Sequence, residues 1–136
     1  MRPRWTNLIR ALWIAGYLVG TTTHVIDLVL GGLDVYAGYP FALRLFWVSL
    51  TLLDPTVVLL IALRRRAGVV LGVAVIVVDV IINSVAIGPS PGLLNQVLFG
   101  VFLLATAVPL WRSVSRRTPP APAPAPRRRP RGPGRR

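Results

Sequence analysis

Three of the four carboxylates in the chain, Asp27, Asp54 and Asp79, fall inside stretches that are otherwise apolar, and so does the single histidine, His24. Such side chains carry protons, accept hydrogen bonds or hold cations, and inside a membrane they mark functional sites. Their spacing pairs them. His24 and Asp27 are i and i+3, and Asp79 and Asn83 are i and i+4; both separations put two side chains on one helix face. Asn95 and Gln96 add amides, and Thr21, Thr22 and Thr23 add hydroxyls beside His24. Arg44 is expected either to snorkel outward or to pair with Asp27. One Arg, with His24 if protonated, does not balance three carboxylates. Either one Asp keeps its proton, or a cationic ligand or ion completes the set.

The elements that position these groups follow from the apolar runs. Residues 9–30, 43–63, 67–87 and 92–111 each approach the ~20 apolar residues that cross a bilayer core. Turn chemistry separates them: Gly31-Gly32 and Gly38-Tyr39-Pro40, then Arg64-Arg65-Arg66, then Gly88-Pro89-Ser90-Pro91-Gly92. Connections this short predict an all-α, antiparallel four-helix bundle. At ~1.5 Å rise per residue, Asp54 sits about 14 Å and Asp79 about 18 Å from the cytoplasmic ends. His24, Asn83 and Gln96 come at about 22–23 Å, and Asp27 and Arg44 at about 27 Å. The polar set is thus expected in the outer half of a core about 30 Å thick.

Orientation follows from arginine. Arg2, Arg4 and Arg10 precede or open the first run, Arg64, Arg65 and Arg66 divide the second from the third, and Arg112, Arg116 and Arg117 follow the fourth. With four spans these groups share one face, which should be cytoplasmic, with both termini on that side. Trp5 and Trp111 then mark the inner interface, and Tyr36 and Tyr39 the outer one. The first run continues to Leu30 without a small-residue cleavage pattern, so it is read as a span rather than a signal peptide.

Composition agrees with this reading and excludes others. The 136 residues are 54% hydrophobic, with 16 basic residues against 4 acidic ones and a net charge of +12. All the basic residues are Arg, and they lie almost wholly outside the apolar runs, which is not the pattern of a nucleic-acid binder. An all-Arg set with abundant Ala, Gly, Pro and Val fits a GC-rich bacterial coding sequence, so the expected location is the bacterial cytoplasmic membrane. The absence of Cys rules out disulfides and thiolate metal ligation; no cofactor and no metal are expected. The organisation is a short cytoplasmic segment (1–8), a membrane domain (9–112) and a tail (113–136). From residue 118 the tail is almost wholly Pro, Ala, Arg and Gly, a composition that cannot bury a core. Gly16-x-x-x-Gly20 and Gly68-x-x-x-Gly72 are expected to bring helices close.

The order of these features resembles the EXPERA superfamily, which includes the emopamil-binding sterol isomerases and proteins of the sigma-2 receptor type. The likeness is carried by residues 17–27 (YLVGTTTHVID), 50–63 (LTLLDPTVVLLIAL), Asp79-Val80-Ile81-Ile82, and Asn95 followed by Pro109. It implies a four-span bundle whose His and acidic residues line a lipophilic cavity. His24 and Asp27 stand three apart and the chain has no Glu, so the resemblance implies binding rather than sterol isomerisation.

The expected function is therefore binding of a lipid or small lipophilic ligand, cationic or hydroxylated, in a pocket lined by His24, Asp27, Asp54, Asp79 and Asn83. Thr23, Arg44, Asn95 and Gln96 support it. The alternatives are a proton or ion transport component, which four short helices would serve as a homo-oligomer, and a structural subunit whose polar groups only lock helix packing. Membrane lipids are expected partners in each case.

Overall fold

The computed structural model describes residues 3–114. Arg2, Arg116, Arg117 and the Pro/Arg-rich tail beyond residue 114 lie outside them. Four α-helices make up nearly all of the described chain: α1 (Pro3–Gly31), α2 (Phe41–Ala62), α3 (Arg66–Ala86) and α4 (Pro91–Val114), with a short 3-10 turn at Gly32–Asp34. No strand occurs among the described residues. Each helix is long and apolar enough to cross a membrane, with mean hydropathy 1.3, 2.0, 2.6 and 1.9 in chain order. The helices outrun the apolar stretches that define them. α1 begins at Pro3 rather than near Ile9, and α4 continues to Val114. Proline suits a first helical turn, where its missing N–H would lack a partner anyway, and the Arg10 guanidinium donates to Asn7 Oδ1 at 3.0 Å on that first exposed stretch.

Each connection is closed by local chemistry. Gly32 (φ 63°) leaves α1, and Gly88 (φ 80°) leaves α3, both in the left-handed region that glycine adopts at little cost. Ser90 then accepts the Leu93 N–H at 3.1 Å, with Pro91 in the first position of α4; this is an N-cap followed by a proline already set for the helix. The turn from α2 to α3 differs. Arg65 N–H bonds Leu60 O at 2.8 Å and Arg64 N–H bonds Ile61 O at 3.1 Å, the paired bonds of a Schellman ending. The left-handed residue there is Arg64, at φ 55°, a conformation that costs a residue with a Cβ roughly 1–2 kcal/mol.

Side-chain hydroxyls inside the helices are satisfied locally, as a medium without water requires. Thr21, Thr22 and Thr56 donate to carbonyls one turn back at 2.7–2.8 Å. The helices pack in sequence, α1 on α2, α2 on α3 and α3 on α4, and the α1–α4 seam is the sparsest. Close packing concentrates in one half of the bundle. Trp13, Val57, Leu103 and Leu110 are fully buried there, and Trp13 Nε1 donates to Thr106 Oγ1 at 2.9 Å across the seam. Gly68 lies directly on α2; a Cβ at that position would stand 2.8 Å from Leu60 Cβ and 2.9 Å from the Ile61 nitrogen. Gly72 admits the Trp13 ring, and its carbonyl accepts the Tyr17 hydroxyl. The second glycine pair thus makes the close helix contact expected of it, of the kind that drives association where lipid removes the hydrophobic force.

Candidate functional site

The other half of the bundle holds a cavity of about 590 Å3 between α1 and α4, backed by α3. From α1 it is lined by Gly16, Tyr17, Val19, Gly20, Thr23 and His24, and from α2 by Asp54 alone. Val75, Ile76, Asp79 and Asn83 of α3, with Ile87 just past its end, form the back wall, and Asn95, Gln96 and Phe99 of α4 the facing one. Its mouth lies along the seam, where Val19, Thr23, Gly92 and Asn95 are exposed. The first glycine pair opens α1 to this space. The Phe99 ring sits against Gly16, and Asp54 Oδ2 lies 2.5 Å from where a Cβ on Gly20 would be. Neither group could occupy its position beside a larger residue.

Four polar side chains knit one wall. Asp79 Oδ1 accepts from Asn83 Nδ2 at 3.1 Å, one helical turn away, and Asp79 Oδ2 accepts from Gln96 Nε2. Asn83 Nδ2 also donates to Gln96 Oε1 at 2.9 Å, while Asn83 Oδ1 accepts the Trp47 indole N–H at 2.9 Å. α2, α3 and α4 are thereby joined, both Asp79 oxygens are engaged, and Asn83 uses its acceptor and both donors. Asp54 is different. It is only 5% exposed and lines the same cavity, yet no hydrogen bond or ion pair among the described residues engages its carboxyl. His24 Nδ1 is likewise buried without a partner.

The cavity brings together most of the residues singled out from sequence: His24, Asp54, Asp79 and Asn83, with Thr23, Asn95 and Gln96. The Thr23 hydroxyl is already committed to Gly20 O at 2.8 Å. Asp27 and Arg44 stand outside the lining, contrary to expectation. Asp27 accepts the Tyr36 hydroxyl at 2.9 Å, so its carboxylate serves the α1–α2 connection. Arg44 reaches Asp34 at 3.5 Å instead of Asp27; Asp34 lies on the exposed 3-10 turn, and a long cationic side chain near the start of α2 extends toward water, in the outward sense of snorkelling. Burial, and then the bond to Asp27, raises the Tyr36 phenol above its ordinary range.

Sequence reasoning passed over Tyr17, Phe99 and Trp47. The signal for Trp47 is an indole N–H within an apolar run, a donor that needs an acceptor once it is buried. Tyr36 and Tyr39 pack on that same indole, with ring centroids 5.1 and 4.8 Å away, so the aromatic residues of the α1–α2 connection brace the network from the loop side. Among the described residues no three His, Cys, Asp or Glu side chains cluster in a way that would hold a metal ion.

Compared with protein-family models, curated proteins and solved structures, the chain shows no match. The functional reading therefore rests on the site itself.

Proposed function

We propose that this chain is an antiparallel four-span protein of the bacterial cytoplasmic membrane, with both ends cytoplasmic, that binds a lipid or small lipophilic ligand in the α1–α4 cavity. The observation that carries the reading is the Asp54 carboxyl, without a hydrogen-bond partner among the described residues and facing a cavity whose mouth opens along the helix seam. The Asp54 oxygens open onto the cavity rather than being sealed off; a ligand hydroxyl or ammonium group there would supply the donor that the wall does not. Val19, Val75, Ile76 and Phe99 offer apolar wall to the rest of such a molecule. Asp79, Asn83 and Gln96, bonded to one another, hold the wall in position. Kinship with the EXPERA superfamily enters as part of the same proposal, supported by His24 and Asp79 sharing one cavity. The antiparallel order is supported by cross-seam pairs: Trp13 meets Thr106, while Tyr17, further along α1, meets Phe99, earlier along α4, at 5.5 Å.

The test is mass spectrometry of molecules that co-purify with detergent-extracted protein, comparing wild type with Asp54→Asn. A stoichiometric species present in wild type and lost from the variant is expected. The same non-stoichiometric lipid in both would sink the binding reading. Asp54 and Asp79 lining one cavity is also what a proton or ion transport component would need, and a pH-gradient flux in reconstituted vesicles that Asp54→Asn abolishes would favour that alternative.

A further inference from the structure

The end of the bundle away from the cavity has a chemistry of its own. Arg4, Arg10, Arg64, Arg65, Arg66 and Arg112 lie on the helix ends and the turn there, whereas the four carboxylates lie in the cavity or toward the α1–α2 connection. Between α3 and α4 at this end runs a groove of about 330 Å3, lined by Val69, Ala107, Val108, Trp111 and Arg112. Its floor is aliphatic and its head is cationic. The Arg66 guanidinium lies over the Trp111 ring, 5.0 Å from the centroid, a cation–π contact that fixes a second positive group beside the groove. Val69 follows Arg66 by three residues and Val108 precedes Arg112 by four, so each helix presents its aliphatic residue below its arginine on one face.

We propose that this groove is a binding site for an anionic phospholipid. One acyl chain lies against Ala107 and the exposed Val108, over a floor closed by the buried Val69, and the phosphate accepts hydrogen bonds from Arg112. The charge pattern selects the occupant: guanidinium groups bind phosphate oxygens as planar, multidentate donors, and no carboxylate lies among the groove residues to hold the ammonium of a zwitterionic lipid. An aliphatic floor on helices that cross the membrane faces acyl chains rather than water. The site is separate from the α1–α4 cavity, so it stands or fails independently of the ligand proposed there.

The position of Trp111 supplies the readout. In phosphatidylcholine micelles, brominated phosphatidylglycerol and brominated phosphatidylcholine are titrated against the full chain, and the Trp111 share of fluorescence quenching is taken by difference from Trp111→Phe. Phosphatidylglycerol should quench Trp111 at a mole fraction at least about fivefold lower than phosphatidylcholine, and Arg112→Gln should reduce that preference about fivefold, the scale of one arginine at an anionic surface. Arg64→Gly is the control. It removes the same charge from the same end, lies outside the groove lining and relieves a left-handed backbone, so the preference should survive it. Equal quenching by both lipids in wild type, or a preference unchanged in Arg112→Gln, would overturn the site. So would an equal loss in Arg64→Gly, which would mean diffuse surface charge.

Discussion

The two halves of the bundle use the same ingredients to opposite effect. Each has a glycine pair, a large ring and polar side chains. Around Gly68 and Gly72 the glycines meet α2 backbone and the Trp13 and Tyr17 rings, and the space is filled. Around Gly16 and Gly20 they meet one ring and one carboxyl, and about 590 Å3 is left. The difference lies in what fixes the neighbouring helix. In the filled half, the Trp13 bond to Thr106 and the Tyr17 bond to the Gly72 carbonyl draw α1 against α4 and α3, and Gly68 brings α3 onto the α2 backbone. In the open half, hydrogen bonds tie α4 to α3 and α3 to α2, so α4 is held without closing on α1. The cavity is thus a product of the polar network, since small residues alone would have let the seam collapse.

If so, the largest asymmetry should appear on truncating one ring from each half. Trp13→Ala removes a fully buried side chain and its bond to Thr106, and should cost about 3–5 kcal/mol. Phe99→Ala should cost less than half of that, because the ring already borders open space and its removal mainly enlarges a cavity that exists. Reversible unfolding in mixed detergent micelles measures both. Equal losses would mean the open half is as tightly packed as the filled one.

The next contrast is between the two cavity carboxyls, and there the sign should differ. Asp79→Leu leaves one of the two Asn83 Nδ2 hydrogens and the Gln96 Nε2 donor without their acceptor, a loss of about 1–3 kcal/mol for unsatisfied buried donors. Asp54→Leu removes a buried carboxyl with no hydrogen-bond or ion-pair partner among the described residues, so stability in ligand-free detergent should hold or rise. If both variants lose comparable stability in the same unfolding measurement, Asp54 is a packing residue and its role as the ligand acceptor fails.

This pair also marks how far the sequence could be read. The helices were legible because long apolar runs broken by Gly, Pro and Arg leave few alternatives, and Asp79 with Asn83 was legible because i,i+4 spacing is a local fact. What periodicity could not supply was the rotation of one helix against another. Asp27 shares a face with His24 by spacing, yet the start of the loop lies within its reach and Tyr36 captures it. Depth leaves Arg44 either outward or beside Asp27, and the side chain takes the outward course to the exposed turn. The distinct roles of Asp54 and Asp79 were equally out of reach, since they depend on Gln96 and Trp47 arriving from other helices.

The smallest expected effect separates the loop from both halves. Tyr36 lies between α1 and α2, and burial followed by its bond to Asp27 raises its phenol above the ordinary range. The folded protein therefore keeps this proton to higher pH than the unfolded chain, whose phenol titrates near about 10. Between those values only the unfolded state releases the proton, so the contribution of Tyr36 is fully present below about pH 10 and declines as pH rises through the folded value. Wild type and Tyr36→Phe should then differ by a small constant amount from pH 7 to about pH 10, and the gap should shrink above it. A gap that begins to close near neutral pH would place the titrating group elsewhere, for Asp27 would then be losing its partner for a reason other than the phenol.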